Sequence, residues 1–288
     1  YSAACRVKWD EENIMNDFTE LPGCVRRSAP LVQCITNFVT VNDCANIILA
    51  AGGSPSMAHD PGEVEEAVEN VQALVCNMGA IGDAESMILA GKAANRLGKP
   101  VVLDPVGAGG TTLRRETARR LLKEVRFSVI RGNASEIGYL AEGRTRGSGV
   151  DVSLSDAVTE ANLSSAAEMA HNLAERTGSV IVISGEIDLV SNGKKTAVFR
   201  NGCPTMARIT GSGCMLTALT GAFCGAMPED SFQAACGAVA VMGVCGGLAE
   251  KRRIETGAGN ASFRTYLIDA VFNLTEEQFE EAVRYEIF

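Results

Sequence analysis

Five short, β-rich runs punctuate the first two-thirds of this chain, and each ends in glycine, proline or asparagine punctuation. Residues 31–35 (Leu-Val-Gln-Cys-Ile) run into Thr36-Asn37, and residues 73–76 into Asn77-Met78-Gly79. Residues 101–103 run into Asp104-Pro105-Val106-Gly107, 127–130 into Arg131-Gly132-Asn133, and 180–183 into Ser184-Gly185-Glu186. Apolar residues at helical spacing follow: Val41, Ala45, Ile48 and Leu49 after the first run, then Met87, Ile88, Ala90, Ala94 and Leu97 after the second. A helix is expected near 115–124 and a short one from Ala134. Mostly continuous apolar strands alternating with amphipathic helices predict an α/β fold of three layers, α/β/α, with a mostly parallel central sheet. Residues 191–194 (Ser-Asn-Gly-Lys) read as a hairpin turn, with Val198-Phe199 returning as a strand. The last third, from Cys214 to Arg284, reads as almost wholly helical.

No linker, internal repeat or low-complexity stretch divides the 288 residues. We expect an N-terminal extension over residues 1–27 and one domain over 28–288. A loop rich in Gly, Ser and Arg is expected over residues 143–155. The formal net charge of −9 argues against general affinity for nucleic acid or anionic membrane, both of which need a basic field. A phosphate site in such a protein must be built locally. The ten cysteines include no CxxC pair, and only His59 and His171 are available to complete a zinc site. Reduced cysteines behaving as small hydrophobes are the simpler reading. Asp10, Glu11 and Glu12 stand where a signal peptide would be apolar. The longest apolar run, 234–249, falls short of the ~20 residues that span a bilayer and reads as a buried helix. A cytoplasmic protein is expected.

The chemistry gathers where open α/β sheets place their ligands, at the carboxyl ends of the strands. Thr210-Gly211-Ser212-Gly213-Cys214 opens an apolar helix. A Gly-rich turn there leaves backbone N–H groups unpaired at the positive end of the helix dipole, which suits the charge on a phosphoryl group in transfer. Asp104 ends a strand, where its carboxylate suits Mg2+ directly or through water. Arg131 offers a guanidinium fork to phosphate oxygens, and Glu136, five residues on, suits metal-bound water. Met215, Met227 and Met242 are spaced as core residues. Arg114-Arg115 and Arg119-Arg120 read as a solvated helix face.

Several segments appear in one order: Ile35-Thr36-Asn37, Gly53-Ser54-Pro55-Ser56-Met57, residues 104–109 (Asp-Pro-Val-Gly-Ala-Gly), residues 131–137 (Arg-Gly-Asn-Ala-Ser-Glu-Ile), Ser184-Gly185-Glu186 and Thr210-Gly211-Ser212-Gly213-Cys214. In these the chain resembles the hydroxyethylthiazole kinases of the ribokinase-like superfamily, from about Ser28 to Arg284. The resemblance implies an ATP-dependent transfer to the hydroxyl of 4-methyl-5-(2-hydroxyethyl)thiazole in thiamine biosynthesis. It implies Mg2+ held by Asp104 and Glu136, with ATP as co-substrate bound by Arg131, Ser184, Asn37 and Glu136. Ser184 stands where the family often has threonine. The thiazole would meet Met57, Gly211, Val39 and Asn37. Catalysis would fall to Cys214 and to Gly211, Ser212 and Gly213 beside it. The resemblance further implies a homotrimer with active sites between neighbouring subunits.

In the wider superfamily an aspartate follows the Gly-x-Gly turn and accepts the hydroxyl proton; here the residue is Cys214. Phosphoryl transfer is largely dissociative, so positioning and charge stabilisation dominate and a base contributes about 10²-fold. Cys214 is therefore expected mainly to align the hydroxyl and assist its deprotonation. The alternatives are a ribokinase-like kinase of hydroxymethylpyrimidine or pyridoxal, which usually carries aspartate at this position, and a repair dehydratase of the same fold. A non-catalytic nucleotide-binding regulator is a third, and would be favoured by loss of Asp104, Glu136 or the 211–213 turn.

Overall fold

The structure, a computed structural model, describes residues 20–142 and 157–288. The expected loop at 143–155 and most of the expected extension lie outside them. Among the described residues one nine-stranded sheet organises the chain in the order β2-β1-β3-β4-β5-β6-β7-β8-β9. Its strands are β1 (Leu31–Ile35), β2 (Ser54–Ser56), β3 (Ala73–Asn77), β4 (Val101–Asp104), β5 (Val129–Asn133), β6 (Val180–Ser184), β7 (Asp188–Ser191), β8 (Thr196–Phe199) and β9 (Tyr285–Ile287). Strands β1 to β6 pair parallel, and β7, β8 and β9 add an antiparallel margin.

The continuous apolar runs become the central strands because both sheet faces are covered. On one face Val32, Cys34, Val75 and Val102 pack with helices α1 (Leu21–Ser28), α2 (Val41–Ala51), α8 (Ser212–Ala226), α9 (Ser231–Thr256), α10 (Asn260–Asn273) and α11 (Glu276–Ala282). On the other, Ile35, Leu74, Cys76 and Leu103 pack with α3 (Val64–Glu69), α4 (Ala84–Arg96), α5 (Thr112–Glu124), α6 (Ala134–Glu142) and α7 (Leu163–Thr177). Three layers result. The hairpin forms as expected, β7 pairing β8.

Some boundaries differ from the sequence reading. The strand expected at 127–130 runs from Val129 to Asn133, so Arg131 lies on the strand itself. The apolar run at 234–249 is the middle of α9, a helix of 26 residues. By length and composition α9 could cross a membrane, yet 89% of its apolar stretch is buried within the fold. Among the described residues eight cysteines are free thiols while Cys24 is disulfide-bonded, so the reading of reduced cysteines does not hold for every one of them. Arg114 corrects the solvated-face reading of α5. Its Nη1 donates to Met78 O at 2.9 Å and to Val106 O at 2.6 Å, tying together the loops after β3 and β4.

What positions the site is α8. It lies against β1, β3 and β4, and a Cβ on Gly221 would collide with Val75 Cγ2 and stand 3.1 Å from Val32 Cγ1. Only a bare backbone lets the helix axis come this near the sheet.

Candidate active site

The approach of α8 to the sheet lays its first turn over the carboxyl ends of β3, β4 and β5. Gly211 caps the helix at φ +85°, a left-handed conformation natural to glycine. The first helical bond runs from Met215 N to Gly211 O at 2.8 Å, so the amides of Ser212, Gly213 and Cys214 precede it. No acidic side chain occupies this first turn. The positive end of the dipole lies here, the end of a helix that suits an anion.

Asp104, at the end of β4, is 1% exposed. Thr217 Oγ1 donates to its Oδ2 at 2.8 Å and Asn77 Nδ2 to the same oxygen at 3.1 Å. Arg131 Nη1 stands 3.7 Å from that oxygen. The other oxygen, Oδ1, is buried with no hydrogen-bond partner. Burial pushes the Asp104 carboxyl up to about 6; Arg131 and the Thr217 bond pull it down, while Glu136 adds to the rise.

Arg131 is itself buried and donates from Nη2 to Ser184 Oγ at the end of β6. Its Nε has no hydrogen-bond partner. A Cβ on Gly213 would lie 2.7 Å from Arg131 Nη1, so the helix start and the guanidinium are in direct contact. Asp188, at the head of β7, is a second carboxyl that feels the charge of Arg131. Burial raises it to about 6, against a bond from Gly185 N and the attraction of Arg131.

Glu136, in the first turn of α6, accepts from Gly107 N at 2.8 Å and from Asn133 N at 2.9 Å. These bonds hold its carboxylate beside the loop after β4. Cys214 takes two amide donors on its sulfur, Asn77 Nδ2 at 3.2 Å and Asn37 Nδ2 at 3.5 Å.

Of the residues singled out in the sequence, Asn37, Asp104, Arg131, Glu136, Ser184 and Gly211–Cys214 are thus joined by hydrogen bonds, charge or contact around the start of α8. Val39 and Met57 are placed differently. Val39 is 57% exposed on the turn before α2, and Met57 is half-buried after β2, against the core face that holds α8. Two residues escaped the sequence reading. Asn77 sits at a strand end, as Asp104 does, and β3–β4 register pairs the two. Thr217 lies one helical turn past Gly213, whose carbonyl its hydroxyl also reaches at 3.2 Å.

The arrangement offers helix-terminal amides, a buried guanidinium and a bare carboxylate oxygen around one open turn, which is equipment for phosphoryl transfer. Residues 23–277 match the Hydroxyethylthiazole kinase family. A hydroxyethylthiazole kinase of Clostridium acetobutylicum is 48% identical over 92% of this chain and 97% of its own length. One from Desulfovibrio desulfuricans is 50% identical over 89% of this chain and 93% of its own. The hydroxyethylthiazole kinase structure from Pyrococcus horikoshii OT3 superposes with a TM-score of 0.82 at 33% identity, covering 95% of this chain and 99% of that one. A pyridoxal kinase from Staphylococcus aureus in complex with pyridoxal shares the fold, with a TM-score of 0.60 at 15% identity over 90% of this chain and 97% of that one.

Proposed function

The chain belongs to the hydroxyethylthiazole kinase family, and from that membership we propose how its residues divide the reaction. The enzyme transfers the terminal phosphoryl group of ATP to the hydroxyl of hydroxyethylthiazole, in thiamine metabolism. The hydroxyl oxygen bonds to the γ-phosphorus as the bond to the β,γ-bridging oxygen breaks; the hydroxyl proton leaves and ADP departs.

The amides of Ser212, Gly213 and Cys214 face the migrating group, and Arg131 counters its charge from the β5 side. Electrostatic stabilisation of this kind is the largest share of such catalysis. Ser184 holds the guanidinium, and with Asn37 and Glu136 completes the nucleotide side. Cys214 aligns the acceptor hydroxyl and receives its proton. Gly211, Asn37, Val39 and Met57 form the thiazole side.

Mg2+ fits the residues present. Asp104 Oδ1 is a buried carboxylate oxygen without a partner, and Glu136 keeps lone pairs beyond its two backbone donors; hard oxygen donors of this kind suit the ion. Asp104 and Glu136 would hold it, and when bound it neutralises phosphate charge.

We also place the enzyme in the cytoplasm as a homotrimer. Phe38 is 90% exposed beside Asn37 and Val39, an apolar surface that a neighbouring subunit would cover.

The observation that carries this reading is the meeting of Cys214, Asp104 and Arg131, from three elements, around one helix start. An ATP-consumption assay against hydroxyethylthiazole, hydroxymethylpyrimidine and pyridoxal tests it. Turnover is expected with the thiazole alcohol, and none with any of the three would overturn the reading.

A further inference from the structure

We propose that Asn77 is a positioning residue for phosphoryl transfer, its side-chain amide fixing the Cys214 sulfur relative to the Asp104 carboxylate. The inference rests on the site assignment above.

Asn77 is 1% exposed at the end of β3. Its orientation is settled on the far side of the amide, where Oδ1 accepts from Gly79 N at 2.7 Å. Nδ2 is thereby turned toward the site. A primary amide nitrogen carries two hydrogens, and a buried one must place both. Here one goes to Asp104 Oδ2 at 3.1 Å and the other to Cys214 Sγ at 3.2 Å. A single rigid group therefore touches both chemical partners, which come from β4 and α8.

Each partner bears the mark of this arrangement. Asn77 and Thr217 both donate to Asp104 Oδ2, so Oδ1 is the oxygen left without a hydrogen-bond partner. On Cys214, Asn77 and Asn37 approach the sulfur as donors, so the sulfur acts as acceptor, the direction in which a hydroxyl proton must travel. Displacement of a reacting group by about 1 Å costs about 10²-fold in rate, which is the scale of effect a clamp between two such groups can have.

Asn77 also shapes the turn after β3, since its carbonyl accepts from Ala80 N at 3.0 Å. Asn77→Ser separates the two roles. A serine oxygen can still accept from Gly79 N–H but cannot reach Asp104 or Cys214. Steady-state kinetics with both substrates are measured for wild type, Asn77→Ser, Cys214→Ala and the double variant, with thermal melting as a check on folding. If Asn77→Ser does not fold, Asn77→Thr, whose hydroxyl also keeps the turn acceptor and whose β-branched side chain suits a strand end, takes its place in the cycle.

For a group acting through Cys214, kcat falls about 10- to 100-fold while both KM values stay within about threefold. In the Cys214→Ala background the same substitution costs less than about a third of that factor, because neighbouring sites that act together are non-additive. An unchanged kcat, a loss confined to KM, or an equal loss in both backgrounds would overturn the inference. Wild-type protein inactive on hydroxyethylthiazole would instead fail the site assignment, and this inference with it.

Discussion

Gly213 and Arg131 occupy adjoining space: a Cβ on Gly213 would stand 2.7 Å from Nη1 and 3.1 Å from Nη2 of the guanidinium. The helix start and the principal cation of the site are therefore set against each other with no methyl group's room between them. Gly213→Ala should push the guanidinium from Ser184 and Asp104. Alanine's better helix propensity, about 1 kcal/mol, offsets part of the strain, so the protein should stay folded. The KM for ATP should rise about tenfold, equivalent to 1.4 kcal/mol. ATP titration beside a thermal melt checks this, and an unchanged KM in a folded variant would refute it.

Cys214 accepts from two amides, and a carboxylate can accept from the same two. Cys214→Asp should therefore keep kcat within about tenfold of wild type, whereas Cys214→Ala should lose about 10²-fold, the usual share of a general base. Comparing kcat for the two variants settles the matter. A folded Cys214→Asp protein without turnover would count against the assigned role.

Asp104 is held at the expense of stability. Its carboxyl is raised to about 6, with burial the chief cause, from an ordinary value near 3.8. Between those values the folded protein binds a proton that the unfolded chain has released, so stability drains away as pH climbs from about 4 to about 6. Asp104→Asn removes this dependence while abolishing the bare carboxylate. Its stability relative to wild type should improve from pH 4 to pH 8, by on the order of 2 kcal/mol. Denaturant melts at the two pH values measure the change. Equal differences at both would show that the charged form carries no folding penalty.

Arg114 binds the carbonyls of Met78 and Val106, on the two loops that follow Asn77 and Asp104. Arg114→Leu should leave those carbonyls without their cation and cost about 1–3 kcal/mol. Both loops should loosen, and kcat should fall although residue 114 touches no substrate. Hydrogen exchange at residues 78–80 and 106–108 is the check. Wild-type protection there would refute the linkage.

The sheet was largely readable because its strands are buried on both faces: β1 and the β7–β8 hairpin stand where the apolar runs and Gly193 put them. Strands β2 and β9 were not. Each has three residues, β2 contains Pro55, and both depend on a neighbour rather than on their own composition. The same division holds in the site. Asp104, Arg131 and the 211–214 turn announce themselves by residue type at a strand end or a glycine turn. Asn77 and Thr217 are ordinary residues there, made relevant by β3–β4 register and by one turn of α8 crossing Asp104. Arg114 misled for a related reason, since a charged residue on an amphipathic helix gives no hint that backbone carbonyls wait within reach.

The seat of α8 on Val75 and Val32 makes that helix a lever. Gly221 lies ten residues beyond Gly211, about 15 Å along the axis at 1.5 Å per residue. Widening the contact at Gly221 by one methyl group would tilt the far end, and the amides at that end must meet a phosphoryl group within a fraction of an ångström. Gly221→Ala is therefore expected to lower turnover from the far end of the helix, read as a fall in kcat in a folded variant.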